Sequence, residues 1–190
     1  MQWRAPRRIP LQHRHGSSCG IRAADRRTID GGREDRGDAL VVYYSATGTT
    51  KNVAEKIARV MGADVYEITA AQPYTSADLN WNDRSSRSTR EQNDPDARPE
   101  LGSRPASLDQ YETIYIGYPI WWGEAPRIVD TFVESEDFGD ATVIPFCISG
   151  GSGVGNSAKR LADLAGSGRW HRGYRLTPSV MDGKIESLGR

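Results

Sequence analysis

Residues 40–61, LVVYYSATGTTKNVAEKIARVM, are the stretch around which the rest of the chain is organised. The stretch begins with five apolar or aromatic residues, a length and composition typical of a buried β-strand. Small and hydroxylated residues follow from position 45 to position 50, which we call the hydroxyl turn. Apolar residues then recur at spacings of four and three, as on an amphipathic helix: Val53, Ile57 and Val60. The pattern predicts a strand, a turn and a helix that ends at a left-handed Gly62.

The hydroxyl turn has the composition of an anion site. A helix N-terminus carries unpaired N–H groups and the positive end of the helix dipole, so it favours an anion. Hydroxyl side chains can add donors there: Ser45, Thr47, Thr49 and Thr50. Gly48 allows the backbone to approach a ligand closely, and the turn contains no Lys or Arg. Two interpretations stay open: a phosphate held by neutral donors, or a hydroxyl-capped helix that binds nothing.

Charge is unevenly distributed along the 190 residues, although the formal net charge is zero. Residues 1–37 contain nine Arg and four acidic residues, whereas the rest of the chain contains 16 basic and 21 acidic residues. Because phosphate backbones bind positive surfaces, this mildly acidic body argues against a nucleic-acid partner. No apolar run approaches the roughly 18 residues of a transmembrane helix, and we find no signal-peptide core. We expect no membrane partner, a cytoplasmic location, and a monomer or homodimer.

Residues 1–37 show no sustained periodicity and are predicted to be a disordered basic extension. Three origins stay open: translation from a mis-assigned start, a functional basic tail, or an organelle-targeting peptide. Residues 38–190 are predicted to form one domain. The two cysteines, Cys19 and Cys147, do not form the framework typical of secreted disulfide-rich domains.

Downstream of the first helix, strands and helices are predicted to alternate. Strands are predicted at Asp64–Ile68, Thr113–Tyr118, Thr142–Ile148 and Tyr174–Leu176, and helices at Glu124–Ser135, Asn156–Ala165 and Asp182–Leu188. Pro145 predicts a bulge in the fourth strand, or a strand that begins only at Phe146. The polar interval 69–107 is predicted to be irregular apart from one helix, Ala77–Asn93, with Leu79 and Trp81 facing inward.

This alternation predicts a parallel sheet with helices on both faces. In such sheets ligands bind beyond the carboxyl ends of the strands, where the strand order reverses. Three loops are expected at that edge: residues 45–50, 119–123 and 149–155.

Two of these loops suit a flat ligand. Trp121 and Trp122 cannot both face the core, and an indole at a strand end can stack on a conjugated ring, although it can equally cover the core. The glycine-rich loop, residues 149–155, resembles the phosphate-binding loop of nucleotide triphosphatases. However, Asn156 occupies the position where that loop needs a Lys. The glycine-rich loop is either a flexible turn or a backbone that passes close to a ligand edge. Together, an anion turn, an aromatic side and a glycine-rich loop describe a pocket for flavin mononucleotide (FMN).

The combined motifs resemble those of flavodoxins over residues 39–188. Ser45-Ala46-Thr47-Gly48-Thr49-Thr50 resembles the S/T-x-T-G-x-T phosphate loop. Two further segments resemble the flavin-ring loops of a bacterial flavodoxin-like family: Pro119-Ile120-Trp121-Trp122-Gly123 and Ser149-Gly150-Gly151-Ser152-Gly153. The stretch from Tyr74 to Pro99 also has a counterpart in that family.

The resemblance implies a three-layer, doubly wound α/β fold whose five-stranded parallel sheet has the order 2-1-3-4-5 and holds FMN non-covalently. It implies that residues 45–50 bind the phosphate, that residues 119–123 pack on the isoalloxazine ring, and that residues 149–153 lie along its other edge. The chain departs from the pattern in its short C-terminal helix and in the long interval 69–107. The resemblance therefore leaves the role of that interval open.

In such a protein the flavin carries the chemistry, and the chain supplies binding and orientation. The sequence predicts no catalytic side chain and no metal site, because it contains no Ser-His-Asp or Cys-His arrangement and no zinc-like ligand spacing. Three functions stay open: an FMN electron carrier that docks to redox partner proteins, an NAD(P)H-dependent FMN quinone reductase that reduces small electron acceptors, and a cofactor-free binding module. The lack of a separate nicotinamide-binding glycine motif favours the carrier.

Overall fold

The computed structural model describes residues 38–105 and 107–190. The predictions for residues 1–37, including the basic extension and Cys19, therefore lie outside the described residues. Within the described part of the chain, no helix is both long enough and apolar enough to cross a membrane.

The secondary structure follows the predicted alternation. The strands are β1 (Ala39–Tyr43), β2 (Asp64–Glu67), β3 (Thr113–Pro119), β4 (Thr142–Ile148), β5 (Arg169–Trp170) and β6 (Tyr174–Leu176). The helices are α1 (Thr49–Met61), α2 (Arg87–Asn93), α3 (Arg127–Ser135), α4 (Ser157–Ala165) and α5 (Asp182–Glu186). Gly62 ends α1 in the left-handed conformation, with φ of 63°, as its position predicts.

The strands form a parallel sheet with the order β2-β1-β3-β4-β5, and β6 also pairs with β4. This confirms the predicted doubly wound, flavodoxin-like topology. In the centre of the sheet, Val42 lies between Tyr66 of β2 and Ile116 of β3, and Ile116 pairs in turn with Pro145 of β4.

The fifth strand position is divided between two short strands, and Pro145 explains why. The Val143 carbonyl accepts a hydrogen bond from His171 N–H on the β5 side of β4. Because strand residues alternate in direction, the position of the missing Pro145 N–H faces the same side, between β5 and β6. The prediction of a bulge or a late start was wrong, since β4 runs without interruption from Thr142 to Ile148. The interruption falls in the neighbouring strand instead.

Alternate strand residues face two separate cores. One core joins Val42, Ile116 and their neighbours to α3 and α4, through residues such as Phe132 and Leu161. The other core lies on the opposite face, where strand residues meet α1 and α5: Val41, Tyr115 and Phe146 with Val53, Ile57 and Ile185. Helices thus cover both faces, so a ligand has access to the sheet at its strand ends.

The predicted helix Ala77–Asn93 was wrong in length. Only α2, Arg87–Asn93, is helical, and turns precede it from residue 76 to residue 85. Ser86 caps α2 by accepting a hydrogen bond from Thr89 N–H at 3.3 Å. The third predicted helix is also shorter, because Pro126 has extended backbone angles and α3 begins at the next residue.

Candidate functional site

The hydroxyl turn connects the carboxyl end of β1 to the start of α1. Gly48 is the residue before α1, with φ of 85°, and no side chain caps the helix. The N–H groups of the first helical turn therefore point outward without a side-chain acceptor. Nearby, the Ser45 hydroxyl oxygen is buried and has no hydrogen-bond partner. Since buried polar atoms are nearly always paired, the junction has the donors and the unmet hydrogen bond expected of an anion site.

The other hydroxyls of the turn differ in their exposure. Thr47 and Thr49 are exposed, and their hydroxyl oxygens are 3.5 Å apart. Thr50 is buried, with only 2% of its surface exposed. Contact between these three side chains and a phosphate stays a prediction.

A cleft of about 460 Å³ opens beside this turn. Its lining is mostly apolar and aromatic: Ala46, Thr47, Leu79, Trp81, Ser88, Ile120, Trp121 and Trp122. The volume lies within the range of small-molecule sites, roughly 300–1,000 Å³. Because Ala46 and Thr47 belong to both features, the hydroxyl turn opens directly onto the cleft. One end of a bound molecule could meet N–H and O–H donors while a flat apolar body lies among the indoles.

Residues 121–124, which we call the tryptophan turn, form a tight turn in which the backbone of Trp122 is strained. Trp121 and Glu124 exchange two backbone hydrogen bonds, of 2.9 and 3.0 Å. The residues between them, Trp122 and Gly123, have φ of 47° and 84°. A left-handed conformation costs a non-glycine residue about 1–2 kcal/mol. Trp122 lines the cleft in this strained conformation, with 48% of its surface exposed. Backbone strain of this kind often occurs at functional sites.

Trp121 is fixed by neighbouring aromatic rings. Its ring centroid lies 5.8 Å from those of both Tyr44 and Tyr74, in edge-to-face geometry. Burial raises the pKa of Tyr44 and of Tyr74, and the hydrogen bond from Tyr74 to Glu91 raises the second further, so both phenols stay neutral. The side chain of Trp121 therefore packs inward while the adjacent Trp122 stays exposed, as the incompatibility of two inward-facing indoles predicts.

A hydrogen-bond network joins α2 to the tryptophan turn and to α3. Gln92 donates to the carbonyls of Trp121 and Ala125, at 3.1 and 3.3 Å. Arg127 donates from α3 to the carbonyls of Glu91 and Gln92, at 3.3 and 3.0 Å. These hydrogen bonds hold α2 and the tryptophan turn in a fixed relative position, although the two segments are distant in the sequence.

An ion-pair cluster around the buried Asp130 holds α3, α4 and the tryptophan turn together. Arg160 of α4 donates two hydrogen bonds to the fully buried Asp130, at 2.7 and 2.8 Å, and one to Glu124 at 2.9 Å. Burial opposes the charge on Arg160, but the hydrogen bonds to Asp130 prevail and raise its pKa. Arg127 also donates to Asp130, at 3.2 Å, so two guanidinium groups compensate this one buried carboxylate.

The structure places the predicted site residues in two groups. Thr47, Ile120, Trp121 and Trp122 line the cleft together with Ala46. Ser45 lines a separate, smaller cavity of about 210 Å³ that shares Ala46 with the cleft. The other predicted residues of the hydroxyl turn and of 119–123 are joined to these residues through the chain but do not line the cleft. Ser149–Gly153 follow β4 at the same edge but do not line the cleft, and the Ser149 hydroxyl donates to the Ser152 carbonyl within its own loop. Gly155 lies beside the Gly123 carbonyl, so this loop is next to the tryptophan turn. A flavin contact by Ser149–Gly153 stays a prediction.

Sequence reasoning missed three residues that line the cleft: Leu79, Trp81 and Ser88. The prediction that Trp81 faces inward was wrong, because 73% of its surface is exposed, whereas Leu79 is half-buried. The available signal was a large indole in a segment too polar to form a core of its own. Such a residue is as well suited to a ligand site as to packing.

Comparisons with known proteins identify the family and the fold. The sequence model of a flavodoxin family matches residues 38–187. A candidate flavoprotein from Bacteroides eggerthii DSM 20697, known from a crystal structure, is 46% identical with a TM-score of 0.74, over 78% of this chain and 93% of that one. A second, from Bacteroides uniformis ATCC 8492, is 45% identical with a TM-score of 0.74, over 80% of this chain and 96% of that one.

A more distant structure shares the fold. A flavoprotein from Lactobacillus acidophilus NCFM, crystallised in complex with FMN, is 21% identical with a TM-score of 0.61, over 80% of this chain and 98% of that one. The comparison with curated proteins gave no match.

Proposed function

Since this chain belongs to the flavodoxin family, we propose that it holds FMN non-covalently and passes electrons through it. The observation that supports the proposal best is the continuity between the hydroxyl turn and the cleft, which share Ala46 and Thr47. One ligand that carries both a dianion and a flat ring system would satisfy both features. FMN is such a ligand, and when bound it supplies one- and two-electron chemistry that no side chain provides.

The residues of the chain have distinct roles in this proposal. The N–H groups that open α1 and the unpartnered Ser45 hydroxyl would hold the phosphate. Trp121 and Trp122 would pack on the ring system and exclude water from it. Gln92 would keep α2 and the tryptophan turn at a fixed separation. No side chain of the chain is required to be oxidised or to act as a nucleophile.

As a carrier, the protein would exchange electrons with redox partner proteins at the carboxyl edge of the sheet. A second candidate function is an NAD(P)H-dependent FMN quinone reductase, and the exposed indole of Trp81 favours it. This ring lies at the cleft with 73% of its surface exposed, so a small flat electron acceptor could stack against it. The cytoplasmic location and the monomeric or dimeric state stay predictions.

The proposal is tested by purifying the full chain and recording its absorbance in the flavin bands, followed by titration of the apoprotein with FMN and with riboflavin. We expect flavin in the isolated protein, and riboflavin binding about a hundredfold weaker than FMN because it lacks the phosphate. Equal affinity for both would overturn the role of the hydroxyl turn, and failure to bind either would leave a cofactor-free binding module. NAD(P)H oxidation with a quinone acceptor then separates the reductase from the carrier.

A further inference from the structure

We infer that Ser88 of α2 is a ligand-binding residue whose hydroxyl hydrogen-bonds the heteroatom edge of the flavin ring. The inference rests on the proposed function and extends it into the interval 69–107, whose role the sequence leaves open. It assigns that interval a direct contact with the cofactor.

The first observation is the state of the Ser88 hydroxyl. Ser88 is 2% exposed, and its hydroxyl oxygen has no hydrogen-bond partner. A buried unsatisfied hydroxyl costs about 1–3 kcal/mol, so such groups are uncommon without a reason. The described chain contains only two other buried side-chain oxygen or nitrogen atoms without a partner, on Ser45 and Gln92.

The neighbouring hydroxyls of the same segment show that partners are available there. Ser86 and Thr89 are also buried, but Ser86 donates to the Thr89 hydroxyl at 2.8 Å, and Thr89 donates to the Asp83 carbonyl at 3.0 Å. Both hydroxyls therefore stabilise the start of α2. The Ser88 hydroxyl, between them in the sequence, takes no part in this arrangement.

The second observation is the position of Ser88. It lines the cleft together with Trp121 and Trp122, and Thr47 is the other hydroxyl residue of the lining. Thr47 belongs to the hydroxyl turn, whereas Ser88 lies on α2. A flat ring system that enters among the indoles needs polar partners for its carbonyl and N–H groups, and a serine hydroxyl can both donate and accept.

The third observation is that α2 is fixed in place. Gln92, one helical turn after Ser88, donates to the Trp121 carbonyl of the tryptophan turn, and Glu91 of α2 accepts a hydrogen bond from the Tyr74 hydroxyl outside the helix. The Arg87 guanidinium also lies 4.1 Å from the centroid of the Tyr74 ring. A ligand would therefore meet a hydroxyl whose position is already set before binding.

The test compares Ser88→Ala with Ser85→Ala, whose hydroxyl is exposed and donates to Asp83 at 2.6 Å. Dissociation constants for FMN and for riboflavin are measured by quenching of flavin fluorescence, and the Tm of each apoprotein is measured alongside. We expect Ser88→Ala to weaken both ligands by about the same factor, roughly three- to tenfold, because the contact is to the ring. The Tm of its apoprotein should be unchanged or higher, since the unpartnered hydroxyl is gone. Ser85→Ala should change neither affinity.

Three results would overturn the inference alone while wild-type protein binds FMN. The first is unchanged affinity of Ser88→Ala for both ligands. The second is a loss of affinity for FMN alone, which would place the effect at the phosphate. The third is an apoprotein Tm several degrees lower than that of the wild type, which would show that the hydroxyl has a structural partner within the protein. A wild-type chain that binds neither FMN nor riboflavin would overturn this inference together with the proposed function. The two failures are therefore distinguishable.

Discussion

A cavity lies at each of the two edges of the sheet, and the larger of the two is at the edge less suited to binding an anionic ligand. At the amino ends of β3, β4 and β5 lies a cavity of about 620 Å³, whereas the cleft at the carboxyl ends measures about 460 Å³. The amino-edge cavity is lined largely by polar and acidic residues, among them Asp109, Glu112 and Asp140, with Arg169 as its basic residue. Three carboxylates against one guanidinium disfavour an anionic ligand.

The difference lies in which polar groups are already satisfied. At the amino edge the Tyr111 hydroxyl donates to Asp64 at 2.9 Å, and backbone bonds link the loops, as from Thr142 N–H to the Glu112 carbonyl. Of the three unpartnered buried polar atoms in the described chain, none lies on a residue lining that cavity, whereas Ser88 lines the carboxyl-edge cleft. The unpartnered Ser88 hydroxyl and the strained backbone of Trp122 therefore distinguish the carboxyl-edge cleft from the larger cavity at the amino edge.

The largest effect should come from removing donors at the carboxyl edge. Thr47→Ala combined with Thr49→Ala should remove two hydrogen bonds to a charged phosphate, each worth roughly 1.5–3 kcal/mol, and so weaken FMN by about two to four orders of magnitude. The Tm of the apoprotein should stay nearly constant because both hydroxyls are exposed. Fluorescence titration and thermal unfolding measure the two quantities. If the double variant bound FMN as tightly as the wild type, the assignment of the phosphate site to the carboxyl edge would be wrong.

A second pair of variants separates the ring of Trp122 from its backbone strain. Trp122→Ala and Trp122→Gly both remove the indole, so both should weaken FMN by about tenfold. Only glycine adopts φ of 47° without strain, so the Gly variant should be more stable than the Ala variant by about 1 kcal/mol. Urea unfolding of the two apoproteins gives this difference. Equal stability would mean that the left-handed turn is not kept in solution.

The reciprocal experiment at the amino edge should affect stability alone. Tyr111→Phe removes the hydrogen bond to Asp64 and should lower the free energy of unfolding by about 1 kcal/mol, or a few degrees in Tm. Its FMN dissociation constant should equal that of the wild type. A change in FMN affinity beyond about twofold would show that the two edges are energetically coupled, and the contrast between them would fail.

The smallest effect concerns the ion pair between Arg98 and Glu134, which is partly exposed. The hydrogen bond from Arg98 holds the pKa of Glu134 below its usual value, so the pair stabilises the protein above the unfolded-state pKa. Glu134→Gln should therefore cost at most about 1 kcal/mol at neutral pH. The difference from wild type should begin to shrink as the pH falls to the usual glutamate pKa of about 4.3, and should vanish once the pH is below the lowered pKa of Glu134 in the folded protein. Urea unfolding across this range measures it, and a difference that persists at the acidic end would contradict the ion-pair explanation.

The sheet and the hydroxyl turn were predictable because their signals are local. In β1 and α1 the residues that decide strand, turn and helix all lie within residues 40–61, and the observed elements match them closely. Alternating strands and helices then set the parallel topology without knowledge of any particular contact. The same reasoning placed three loops at the carboxyl edge.

The interval 69–107 was not predictable because its structure depends on distant polar contacts. Gln92 bonds to a carbonyl 29 residues away, and Arg98 to a carboxylate 36 residues away, and neither pairing has a periodicity. The prediction extended this helix back to Ala77, with Leu79 and Trp81 facing inward, although residues 77–86 are not helical. At Pro145 the sequence indicated a disturbance, but its location in the adjacent strand depended on the direction of one missing N–H.

The division of the fifth strand position between β5 and β6 limits how another polypeptide can join this sheet. An unbroken edge strand presents a row of free N–H and C=O groups on which a foreign extended segment can assemble. Here that border consists of pieces two and three residues long, interrupted at residues 171–173 beside the proline. Because neither piece presents a long row of such groups, we expect this border of the sheet to be a poor template for an added strand.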